Sequence, residues 1–161
     1  MSIFVQSTPA PRPKSENVKL VSIGLAGVFV VLAVAQLYSY EDFPSVITSL
    51  GLHDGRPLSD LYAALLVTGE VLAIPFLLSM RLSRAMRFVS MTAGWLVIIA
   101  WLKTAVIVNV TANAVTNSGV LGATIPIVPG WWMVCFFMVL ALMSAWASWG
   151  MWPAAVGKNN T

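Results

Sequence analysis

Charge is what this sequence has least of. Only 9% of its 161 residues are Asp, Glu, Lys or Arg, against about 25% in soluble domains, so a soluble globular fold is excluded. Cysteine and histidine occur once each, as Cys135 and His53. A lone thiol forms neither an internal disulfide nor a Cys-x-x-Cys redox pair. A lone imidazole rules out a haem held by two histidines of this chain, and a three-histidine metal site. No Ser/His/Asp set, glycine-rich phosphate loop or metal cluster supports a stand-alone hydrolase or kinase. No cofactor is therefore expected within the chain. Cys135 is expected as a small buried apolar residue, and His53 as a solvated loop residue.

What fills the chain instead is apolar sequence, 58% of all residues. A membrane span needs about 20 such residues, and four runs meet that length, over 20–40, 58–80, 87–110 and 130–152. Runs this long without two-residue alternation rule out a closed barrel, the other spanning form. The expected fold is all-α, a four-helix transmembrane bundle over 18–152, flanked by tails at 1–17 and 153–161. The tail at 1–17 is polar and carries Pro9, Pro11 and Pro13, which reads as disorder.

The net charge of +3 is no nucleic-acid signal, because the basic residues are sorted by side. Arg12, Lys14 and Lys19 precede the first span, Arg81, Arg84 and Arg87 separate the second from the third, and Lys158 follows the fourth. Arg56 stands alone on the other side, and Lys103 falls within a span. Positive residues collect on the cytoplasmic face, which puts both termini in the cytoplasm. The three arginines are expected to snorkel toward lipid headgroups.

The first span also looks like a secretory signal, with Ala33-Val34-Ala35 as a cleavage site before Gln36, but its apolar run is too long for a signal core. It is expected to stay. Gly24 and Gly27 are expected to admit a neighbouring helix. Near the end of the span, Gln36 either bonds a neighbour or is solvated, and Tyr38 and Tyr40 suit an interface. Beyond it Asp42, Pro44 and the spacing Phe43, Val46, Ile47, Leu50, Gly51 predict a short amphipathic helix on the outer mouth. Phe43 and Ile47 are candidates to face a partner there.

The second span holds the one acidic residue placed deep in apolar sequence, Glu70. A charge at mid-membrane costs at least ~2.5 kcal/mol on insertion scales and marks a function or a partner. Pro75 withholds a hydrogen bond from the carbonyl of Val71 and loosens the helix beside it. Small residues at Ala64/Thr68 and Gly69/Ala73 predict that this face packs on a helix. Lys103 in the third span is the second ionisable candidate. At 1.5 Å per residue its level differs from that of Glu70 by ~8 Å, a gap a lysine side chain largely spans. Either the two pair, or Lys103 snorkels outward and leaves Glu70 protonated.

Past Lys103, Asn109, Asn113 and Asn117 fall at i, i+4, i+8. They predict either a helix continuing out of the membrane with one face toward a partner, or a solvated loop. The uncharged stretch 119–129 is expected to fold over the outer mouth. The fourth span opens on Trp131 and Trp132 and closes on Trp149 and Trp152, an aromatic belt at both interfaces.

Three stretches together resemble the DoxX-like and MauE-like family of small four-span membrane proteins. They are Ala35-Gln36-Leu37 through Phe43 to Leu50, Leu66 to Leu78 around Glu70, and the Arg81–Arg87 turn, within about residues 20–105. The family usually has Gly-x-x-Lys-Leu where this chain has Ala33-Val34-Ala35-Gln36-Leu37. It commonly ends the second span in glycine, where Ser79-Met80 stands here. The resemblance implies an accessory subunit of a thiol, sulfur or quinone redox complex in a bacterial inner membrane. Its partners would be lipid and another membrane protein or a second copy, and not nucleic acid. The alternative is a small proton- or ion-coupled transporter using Glu70.

Overall fold

A computed structural model describes residues 13–51, 56–111 and 115–151. Among them the chain is all helical, with α1 over Glu16–Tyr38, α2 over Phe43–Ser49, α3 over Arg56–Leu77, α4 over Arg84–Thr111 and α5 over Trp131–Met151. The four long helices are each long and apolar enough to cross a membrane, as expected of a multi-pass membrane protein. Most of both tails, the turn at His53 and Asn113 lie outside the described residues.

Local chemistry sets the helix ends. Ser15 caps α1, its hydroxyl accepting from the Val18 amide at 3.3 Å, with Glu16 in the first turn. This favours a start four residues ahead of the span expected from 20. Ser83 does the same for α4, accepting from Met86 N at 3.2 Å. At the end of α3, Ser79 adopts φ 53° and Met80 N donates to the Pro75 carbonyl at 3.0 Å. This left-handed closure is the one glycine makes most cheaply, and here serine makes it. α2 begins at Phe43 with Pro44 in its first turn, but the Asp42 side chain makes no capping bond.

The principal contacts run α1 to α3, α3 to α4, α4 to α5 and α5 back to α1, with α2 lying on α3. The long helices alternate in direction, leaving an α2 end and an Arg81 end. Small residues set the α3–α4 spacing. A Cβ added at Gly69 would strike Val97, and one at Gly94 would lie 3.1 Å from Ala73. In a bilayer such close approach, rather than the hydrophobic effect, drives helix association. Gly24 and Gly27 do not serve this purpose: nothing lies within 4 Å of an added Cβ at either. Both sit on the outward face of α1, one residue off the buried positions Leu25 and Ala26.

Several other expectations about single residues are corrected in the same way. Cys135 is exposed, on the outward face of α5. Phe43 and Ile47 face no partner, because both are 0% exposed within this chain's own core. α2 turns its apolar face onto the bundle, not onto the surroundings. Arg81 and Arg84 are exposed, whereas Arg87 is buried.

The break in α3 at Pro75 is repaired from outside the helix. The amide of Phe76 donates to Ser90 Oγ on α4 at 3.0 Å, and that hydroxyl donates in turn to the carbonyl of Leu72. A side chain thus stands where the Phe76–Leu72 helical bond would be. Ser90→Ala removes this bridge and leaves a buried donor. Interhelical hydrogen bonds in membranes contribute ~0.6 kcal/mol on average and ~1.7 at most. The expected loss is therefore about 0.6–1.7 kcal/mol in an unfolding titration, with little change in helix content.

Candidate functional site

Glu70 lies fourteen residues into α3 from its α2 end and seven before Leu77, fully buried among α1, α3 and α4. Gln36 of α1, also fully buried, donates from Nε2 to Glu70 Oε1 at 3.1 Å. Trp101 of α4 donates from its indole nitrogen to the same oxygen at 3.3 Å. The Trp101 ring stacks on Phe137 of α5, centroids 5.6 Å apart and planes 6° from parallel. One carboxyl oxygen therefore ties three helices together, and the indole extends the junction to the fourth. Gln36 is two residues from the last residue of α1, which is ~3 Å of helical rise.

A segment between α4 and α5 roofs this junction. The second hydrogen of Gln36 Nε2 goes to the carbonyl of Val120 at 3.2 Å. Ala123 N donates to Ser39 Oγ at 2.7 Å, and Ser118 N to the Ile127 carbonyl at 2.7 Å. Asn117 folds the segment on itself, accepting from Gly119 N at 2.9 Å and donating to the Gly122 carbonyl at 3.2 Å. Gly119 and Gly122 both take positive φ, 73° and 70°, where other residues are strained.

This placement decides the asparagine pattern. α4 ends at Thr111, so Asn117 belongs to the roof and not to a helical stripe. Its amide is bonded within that roof. Asn109 remains on α4, half-buried, with Nδ2 bonded to the Ala105 carbonyl at 2.7 Å.

Lys103 does not join the junction. It is exposed, two residues from Trp101 and hence roughly 200° around the helix from the face that meets Glu70. The expected Glu70–Lys103 pair is not formed, and Gln36 and Trp101 bond the carboxyl instead. Lys103→Gln is accordingly expected to change stability by no more than ~0.5 kcal/mol. Breaking a buried pair would cost ~3–5 kcal/mol, so a single unfolding comparison separates the two.

Two polar atoms at the junction have no hydrogen-bond partner, Glu70 Oε2 and Gln36 Oε1. Trp101 and Val120 are the participants that sequence reasoning missed. Among the described residues no group of three or more His, Cys, Asp or Glu is placed to hold a metal. Three surface grooves lie near α1's first turn, between α1 and the roof, and between α3 and α4, and Glu70 lines none of these three. Comparison with family models, with curated proteins and with solved structures finds no match to this chain.

Proposed function

We propose that this chain is a non-catalytic membrane subunit that anchors or assembles a membrane-bound redox complex acting on thiols, sulfur species or quinones. The observation that carries the reading is the use made of Glu70. Its Oε1 is bonded from α1 and from α4, so the one deep acid clamps helices together instead of lining a passage. The same junction holds the roof over 115–130 through Val120, giving a firm surface at one end of the bundle. The resemblance to DoxX-like and MauE-like proteins supplies the redox context. Gln36, at the position of the family's lysine, meets Glu70 through an amide rather than a charge. With the basic residues gathered at the Arg81 end, that end and both termini face the cytoplasm of a bacterial cell, and α2 and the roof face outward.

A small proton- or ion-coupled transporter is the second reading, favoured by the unpartnered Oε2 of Glu70. Against it stands the closure of the site: Glu70 is fully buried and lines none of the three surface grooves, whereas a transporter's coupling groups sit at its substrate site.

Purification at native abundance in a mild detergent, with mass spectrometry and an absorption spectrum, tests the first reading. A stoichiometric partner carrying haem, flavin or a cysteine pair is the expected result. A colourless homo-oligomer with no partner would sink it and shift the weight to transport.

A further inference from the structure

The Glu70–Gln36 contact is short of one hydrogen. Gln36 Nε2 commits both of its hydrogens, to Glu70 Oε1 and to the Val120 carbonyl. Trp101 adds its single hydrogen to Oε1. Glu70 Oε2 and Gln36 Oε1 are left, both buried and both without a donor. A carboxylate and an amide oxygen are acceptors only, so neither serves the other. Turning the amide over does not help, since its oxygen would then face Glu70 Oε1 and the Val120 carbonyl, two acceptors.

No cation or further titratable group on the packed elements is described as facing this point. On α1, Glu16 and Lys19 lie at the opposite end, Lys19 being 17 residues before Gln36, ~25 Å of rise. On α4, Arg84 and Arg87 are likewise at the far end and Lys103 is exposed. α2 and the roof over 115–130 contain no ionisable side chain, and α5 offers only the exposed Cys135. On α3, Asp60 is exposed, and the Tyr62 hydroxyl bonds the Ala100 carbonyl at 3.2 Å and pairs with Thr104.

We propose that the junction is a proton-binding site, in which Glu70 is held as the neutral acid and its Oε2–H donates to Gln36 Oε1. Acid and amide then close a ring of two hydrogen bonds, Nε2–H to Oε1 and Oε2–H to Oε1 of the amide. Every buried polar atom of the pair gains a partner by the addition of one proton. The proton also fixes which way the amide points. That orientation leaves the other Nε2 hydrogen for Val120, so the loaded site latches the roof onto α1. The inference stands on the junction itself and is independent of the accessory role proposed above.

Infrared spectra of the full chain in phosphatidylcholine vesicles near neutral pH test this directly. The expected result is a protonated-carboxyl stretching band that shifts in deuterated water and is lost in Glu70→Gln. The exchange Gln36→Glu/Glu70→Gln rebuilds the same ring with its ends swapped. It is expected to restore the band while leaving the Val120 carbonyl without its donor, since an acid has one hydrogen where the amide has two, and a restored band keeps the test valid if Glu70→Gln alone folds poorly. Gln36→Lys supplies a cation, and is expected to convert the acid band to a carboxylate band. Parent vesicles showing only carboxylate, as a water-bridged anion would, overturn the proposal. So does stabilisation by sodium or potassium chloride that vanishes in Glu70→Gln, because a metal ion would then fill the place given to the proton.

Discussion

Trp101→Ala is expected to be the most damaging single truncation in the bundle, at about 3–5 kcal/mol, the range for large aromatics cut to alanine in a packed core. Among the described residues Trp101 is the largest fully buried side chain, stacked on Phe137 and bonded to Glu70. A Cβ added at Gly119 would lie 3.8 Å from its ring, so the roof also rests on it. Its loss opens a void between α3, α4 and α5, and no hydrophobic collapse in lipid offsets the lost packing. Trp101→Phe separates the two contributions. It keeps an aromatic ring against Phe137 while deleting the indole donor and part of the buried ring volume, so about 1–3 kcal/mol should go. The check is an unfolding titration of both variants in mixed micelles. An alanine variant losing less than the phenylalanine variant would show that the stack contributes nothing.

Much of the architecture is legible in the sequence, because lipid imposes a simple rule. Backbone groups have to be satisfied within each spanning segment, so a long apolar run is a helix almost regardless of its details. The four spans follow from that, while α2 is read from the Phe43, Val46, Ile47 and Leu50 repeat, which marks one apolar face. What the repeat does not reveal is the surface that face meets. It meets the bundle, and Phe43 and Ile47 are core residues.

The junction was only half legible, and the reason is rotational. Depth along a helix can be counted at 1.5 Å per residue, and by depth Lys103 was within reach of Glu70. Facing requires the other coordinate. Ser90, Gly94, Val97, Trp101, Thr104 and Val108 mark the buried face of α4, and Lys103 lies nearly opposite Trp101. Applied before any count of depth, that periodicity would have favoured Trp101 over Lys103. Gly24 and Gly27 admit no helix for the same reason, since a small residue matters only on the face that meets a neighbour. The bond from Gln36 to Val120 bridges 84 positions, and a segment of turns carries no period from which such a contact can be read.

Gly122→Val tests whether the roof and the junction form one unit. Gly122 holds φ +70°, a conformation that costs an L-residue ~1–2 kcal/mol, and more when its side chain is β-branched. An added Cβ would also strike the Ala35 carbonyl and the Ser39 hydroxyl, and the carbonyl belongs to helical backbone that cannot swing aside. The strain is therefore expected to be relieved by undocking the segment, at about 2–4 kcal/mol, with the four long helices intact. Undocking breaks the Ala123 bond to Ser39 and takes the Val120 carbonyl away from Gln36. Hydrogen–deuterium exchange should then accelerate across 118–127 while the middle of α5 keeps its protection. Gly122→Ala, with the same clash but no β-branch, should fall between the parent and the valine variant. Unchanged exchange at Ala123 in the valine variant would mean that the segment is held by something other than its seat on α1, and that the roof and the Glu70 junction are separate structures.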